Sequence, residues 1–139
     1  MDDLATALAA VNAASAFNAW AGLEIVEATK GRTTLGLQAR PDLLNHAGAL
    51  HAGLQSALLD TACGYACASV AGNVVTLQMN VQFLASAKAE RFEARAQVSK
   101  AGKQQLFAEA RLFAVRQGEE VLVASASAVL VKLGSERRR

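Results

Sequence analysis

Residues 45–70, NHAGALHAGLQSALLDTACGYACASV, constrain this chain more than any other stretch. The segment opens as a polar loop punctuated by glycine and continues as a long run with helical spacing. Leu50, Leu54, Ala57, Leu58, Thr61, Ala62, Tyr65, Ala66 and Ser69 keep that spacing, while Leu59, Cys63 and Cys67 are apolar outside the stripe. A helix that is apolar nearly all round is expected to be buried nearly all round. Its one charged residue is Asp60. Desolvating an isolated carboxylate costs several kcal/mol, so Asp60 either reaches a polar cleft or has a partner.

Helical geometry adds a second constraint. If His51 begins the helix, Asp60 lies nine residues on. At about 100° per residue that is a net half turn, with an axial separation of about 13 Å. Within one helix the two side chains then face opposite ways and share no substrate atom; a His51 still in the loop is free to point elsewhere. Two copies of the helix, antiparallel about a two-fold axis, bring them together. The sequence thus points to a site built across a homodimer interface.

The rest of the chain supplies strands. Residues 2–18 read as a helix, with Leu4, Leu8, Val11 and Phe17 at near-helical spacing and Asp2 and Asp3 suited to its N-terminus. Trp20 and Gly22 follow as a break, and Trp20 is assigned to packing. Residues 23–39 read as a hairpin around the TKGR turn at 29–32, and Pro41 ends it. After the long helix, Val75, Leu77, Met79, Val81 and Phe83 alternate with Thr76, Gln78, Asn80 and Gln82, which predicts a strand with one apolar and one polar face. Strands follow at 90–99, 104–116 and 121–132, joined by turns at 100–103 (KAGK) and 117–120 (QGEE). Short turns make them antiparallel. One buried helix across a curled antiparallel sheet is an α+β two-layer architecture, and the far side of the helix calls for a second copy.

Composition excludes more than it proposes. At 139 residues the chain reads as one domain, 1–139. Its 53% apolar content, much of it alanine, with 5% aromatics favours close packing and an oligomer. The formal charge is 14 − 12 = +2, and the basic run at 137–139 reads as part of a solvated tail, 134–139. No nucleic-acid footprint stands out. Asp60, Gln55, Gly53 and Gly64 interrupt the long helix too often for a membrane span, and the N-terminus lacks the basic start of a signal peptide. Cys63 and Cys67 read as small buried hydrophobes in a reducing compartment, so a cytoplasmic protein is expected. Two histidines and no ligand cluster predict neither metal nor redox cofactor.

The stretch NHAGALHAGLQSALLDTACGYA resembles the signature of the PaaI-type hotdog-fold acyl-CoA thioesterases. That signature is roughly Asn-x-x-Gly-x-x-His-Gly-Gly, then a helix whose acidic residue falls nine after the histidine. TLQMNVQFLASA resembles the strand after that helix, and VSKAGKQ the family's basic turn. Element order agrees from about residue 20 to 133. The resemblance implies that Asp60 is the catalytic carboxylate, as nucleophile or as general base toward water. It implies that Asn45 orients the thioester or the water, and that His51 and Ala52 stand for the family's His-Gly pair, with the second residue's N–H aimed at the thioester oxygen. Thr76 falls where the family often has Ser or Thr near the acid. Family members are dimers in which the acid faces the neighbour's loop, here residues 45–52. The chain departs from the pattern at Ala52, where the family has glycine; the main-chain donor survives, and the methyl narrows the room beside it.

These roles have a chemical basis. Unpaired N–H groups at a helix N-terminus hold a developing oxyanion. The glycines up to Gly53 let the backbone approach a ligand closely, and Lys100 and Lys103 suit the phosphates of coenzyme A. Plainer rivals exist for each: a structural carboxylate, a loop-satisfying Asn45, a capping His51, a strand threonine, solvated lysines. The expected function is hydrolysis of an aryl or short-to-medium acyl-CoA to free acid and coenzyme A, by a homodimer that pairs into a homotetramer. A non-catalytic acyl-CoA-binding module is the main rival and a hotdog hydratase a weaker one.

Overall fold

A computed structural model of the protein describes residues 3–134. The basic run at 137–139 and the leading Asp2 lie outside the described residues. The elements run α1 (Asp3–Ala14), α2 (Ala16–Ala21), β1 (Glu24–Thr29), β2 (Arg32–Gln38), a 3₁₀ turn (Pro41–Leu43), α3 (Ala52–Ala71), β3 (Val74–Phe83), β4 (Arg91–Ala101), β5 (Gln105–Arg116) and β6 (Glu119–Lys132). The six strands form one antiparallel sheet in the order β1-β2-β4-β5-β6-β3. This is the expected α+β arrangement, a curled sheet with α3 packed against every strand.

Helix length explains the crossover. Twenty residues of α3 span about 30 Å, enough to carry the chain from the β2 side across the sheet. The chain then returns as β3 on the far edge of the sheet, beside β6. Alanine makes the close approach possible. Ala94, Ala108, Ala110, Ala114, Ala124 and Ala128 are buried on the sheet beneath the helix, around Phe92, Leu106 and Leu112.

Three local readings change. Residues 2–18 are not one helix: Ser15 interrupts, caps α2 by accepting the Asn18 N–H at 3.4 Å, and leaves Asn12 and Asn18 buried where the two helices meet. The buried stripe of α3 is Gln55, Leu58, Leu59, Ala62, Cys63, Ala66 and Cys67, so Leu59, Cys63 and Cys67 sit at its centre rather than outside it. A helix apolar on all sides does not announce which side the sheet will take. Ala57, Asp60, Thr61, Gly64 and Ala68 stay half-buried in the protomer.

The third change is in β3. Simple alternation puts Thr76 on the face opposite Met79 and Val81. A bulge between Thr76 and Gln78 breaks the register and inserts one residue. Thr76 pairs with Leu130, Met79 with Ala128 and Val81 with Ala126. Directly opposed residues share a face, and those three partners are buried toward α3. Thr76 therefore points to the helix side.

Candidate active site

The loop before α3 is held by its own side chains. Leu44 and Leu50 form an isolated antiparallel bridge. Between them the Asn45 N–H donates to the Ala49 carbonyl at 2.7 Å, and Gly48 takes the left-handed conformation at φ +80° that the reversal requires. Asn45 Oδ1 accepts the N–H groups of Ala47 and Ala49 at 2.9 and 3.0 Å. These two bonds fix the amide orientation and leave Nδ2, which has no partner among the described residues, as the free donor. The amide oxygen of Asn45 thus satisfies the loop, as the plainer reading expects, and the amide nitrogen is left over.

His51 caps α3. Its Nδ1 accepts the Gly53 N–H at 2.8 Å, so the neutral ring carries its proton on Nε2. A Cβ at Gly53 would lie 3.0 Å from that Nδ1, a crowding that glycine avoids. The Gly53 N–H is therefore taken by the imidazole, and the Ala52 N–H remains without a partner among the described residues, at the positive end of the helix dipole. Gln55, which the sequence shows only as a polar interruption, is buried one turn on and donates from Nε2 to the Leu50 carbonyl at 2.9 Å. It fastens the helix start to the loop.

Asp60 sits two turns further along, half-buried. The Thr76 hydroxyl donates to its Oδ1 at 2.5 Å, which holds the carboxylate and leaves Oδ2 open. The pair borders a groove of about 630 Å³ between α1, α3 and β3, with Leu8 and Val11 on one wall and Thr61, Gly64, Tyr65 and Ala68 on the other. Its end is braced by a network of buried Asn12 and Asn18 with half-buried Tyr65. Asn18 Nδ2 donates to Asn12 Oδ1 and to the Tyr65 hydroxyl, Tyr65 donates to Asn12 Oδ1, and Asn12 Nδ2 donates to the Leu23 carbonyl, all at 2.7–3.1 Å. Nothing in the sequence spacing ties Asn12 to Tyr65.

The structure brings Asp60 and Thr76 together, and separately assembles Asn45, His51, Ala52 and Gly53. It does not join the two groups within one chain. Lys100 and Lys103 form a third location. Lys100 falls inside β4, at a bulge, rather than in the turn; Lys103 lies in the turn; both are exposed beside a shallow depression with Gln105 and Phe107. Trp20 packs at the surface, half-exposed, with its ring against Phe17. It lies under the Arg40 guanidinium, which donates to the Trp20 and Ala21 carbonyls and ties α2 to the loop before α3. Burial raises the Cys63 thiol to about 12 and Cys67 to about 11, so neither is a nucleophile near neutral pH.

Among the described residues no helix is long and apolar enough to cross a membrane. The model of the thioesterase superfamily matches residues 47–121. A comparison with curated proteins returns no significant match. Among solved structures, a thioesterase family protein from Silicibacter pomeroyi is 36% identical, with a TM-score of 0.89 over 94% of this chain and 99% of that one. The PaaI protein of the Escherichia coli phenylacetic acid degradation operon is 26% identical, with a TM-score of 0.81 over 94% and 96%. Zebrafish thioesterase superfamily member 2, at 23% identity and a TM-score of 0.79 over 92% and 94%, shares the fold.

Proposed function

The chain belongs to the thioesterase superfamily and has its hotdog fold, and from that premise we propose that it hydrolyses an acyl-CoA thioester to a free acid and coenzyme A. One observation carries the reading: a carboxylate held by a hydroxyl faces an open groove from the middle of α3, while the main-chain donor that would complete the chemistry lies at the N-terminus of the same helix. Along α3 the two are about 12–13 Å apart. Base and oxyanion donor must both come within about 3 Å of the reacting centre. A second copy supplies the missing half.

In the dimer, the Ala52 N–H and Asn45 Nδ2 of the partner subunit receive the thioester oxygen. Asp60 takes a proton from water as the water oxygen adds to the carbonyl carbon; the C–S bond then breaks and the departing sulfur takes that proton from Asp60, so coenzyme A leaves as the thiol and the carboxylate is restored. Direct attack by Asp60, through an anhydride that water later opens, uses the same groups. After a single turnover in ¹⁸O-water, label in Asp60 marks an anhydride that water opened at the Asp60 carbonyl, whereas direct attack of water places label in the acid and never in Asp60. Thr76 positions the carboxylate, His51 sets the helix start, and Lys100 and Lys103 take the coenzyme phosphates. The relation to a protein of phenylacetic acid degradation supports an aryl or short-to-medium acyl group. The whole chain acts as one such domain, in the cytoplasm, as a pair of dimers.

The test is thiol release across an acyl-CoA panel. Asp60→Asn should lose about 10²–10⁴-fold in kcat. Equal rates for variant and wild type would end this mechanism.

A further inference from the structure

Gly64 has no backbone reason to be glycine. It lies in the middle of α3, outside the positive-φ positions of the chain, where glycine is among the poorest helix formers. It has no packing reason within the protomer either, since a Cβ built there meets no atom within 4 Å. Its missing side chain opens instead onto the groove that Asp60 borders. Four residues separate the two, so Gly64 is on nearly the same face, about 6 Å further along the axis.

We propose that Gly64 forms the floor of the acyl chamber and sets the size of acyl group the enzyme accepts. An acyl chain whose carbonyl is at Asp60 advances about 1.25 Å per methylene and passes over Gly64 at its fourth to sixth carbon. The open volume lies there, between Leu8 and Val11 of α1 and the ring of Tyr65. The Tyr65 hydroxyl is committed to Asn12 and Asn18, so that end of the chamber is a fixed wall. The substrate class that uses this space has its bulk four to six atoms from the thioester, as a ring or a medium chain; an acetyl group leaves it empty. The inference rests on the thioesterase reading and adds to it the residue that sets acyl size.

The experiment compares kcat/KM for acetyl-, hexanoyl- and phenylacetyl-CoA in wild type, Gly64→Ala and Gly64→Leu, with the dimer checked by light scattering. The ratio of hexanoyl or phenylacetyl to acetyl specificity should fall at least tenfold in Gly64→Leu and by a smaller factor in Gly64→Ala, chiefly through KM. Gly64→Ala should also raise the melting temperature, because alanine is the better helix former. Superimposable acyl profiles would overturn the proposal. So would a variant that dissociates and loses all substrates alike, which would assign the space at Gly64 to the subunit contact. A wild type that releases no thiol from any of the three refutes the hydrolase reading instead. The chamber is then tested by affinity: hexanoyl-CoA should bind Gly64→Leu at least tenfold more weakly relative to acetyl-CoA, and an unchanged ratio would overturn it.

Discussion

Mixing two inactive variants tests whether the site is shared between chains. Asp60→Asn removes the carboxylate function and keeps its shape. Asn45→Asp keeps an oxygen to accept the Ala47 and Ala49 N–H groups, so the loop holds while the Nδ2 donor is lost. Each variant alone should fall by about 10²-fold or more. If Asp60 of one chain works with Asn45 of the other, a mixed dimer has one site with both defects and one with neither. Equal mixing with full exchange gives homodimers and mixed dimers as 1:2:1, so half the dimers carry one intact site of two. The mixture should therefore recover about a quarter of the wild-type rate, and a purified mixed dimer about half. A site contained in one chain predicts the average of the two parents, at or below about one hundredth of wild type. The assay is thiol release after co-refolding, with exchange verified by two affinity tags. A verified mixed dimer no faster than the parents' mean would refute the shared site.

Two further outcomes rest on single contacts. Thr76→Val removes the hydroxyl that holds Asp60 Oδ1; a hydrogen bond to a charged group contributes about 1.5–3 kcal/mol, so kcat should fall about tenfold or more with KM little changed. Thr76→Ser should restore most of the rate, and steady-state kinetics on both variants decide it. Burial first, then the neighbouring Cys67, Asp60 and Glu109 charges, lift the Cys63 thiol from 9.0 to about 12, and burial alone lifts Cys67 to about 11. The unfolded chain releases these protons from about pH 9 while the folded chain keeps them, so this contribution to stability is complete below pH 9 and declines toward pH 11–12. Urea midpoints at pH 8 and 10.5 should show a larger drop for wild type than for a Cys63→Ala/Cys67→Ala double variant; equal drops would sink the linkage.

Much of the architecture was legible because two periodicities carried it. The period-two runs of β4 and β5 gave strand faces that the structure keeps, with Phe92, Ala94 and Ala96 on one and Leu106, Ala108 and Ala110 on the other buried beneath α3. The NHAGALHAGL stretch gave the family, which the thioesterase model over 47–121 and the PaaI neighbour bear out. What periodicity failed to give was phase. The uniformly apolar α3 hid its buried side, and the β3 bulge reversed the face that alternation assigns to Thr76. Long-range polar partnerships were hidden for another reason. Tyr65 lies 53 residues from Asn12, and neither residue type announces the other.

The surfaces the protomer leaves uncovered fall at the proposed chemistry. Among the described residues β3 pairs only with β6, so its outer edge presents unpaired main-chain groups, and Val75, Leu77 and Phe83 on it are about half exposed. The exposed strand carries Thr76, and the half-buried side of α3 carries Asp60 and Gly64. Apolar burial contributes about 25 cal/mol per Å², so covering this strand with a second copy favours association. In the proposed dimer, a two-fold axis there would run the second α3 antiparallel to the first and set its Ala52 N–H and Asn45 amide toward this Asp60. Hydrophobic association and catalytic assembly would then depend on one contact. Charge placed on that strand, as in Leu77→Lys, should therefore lower association and activity together, read by light scattering and thiol release; a monomer that keeps full activity would refute the link.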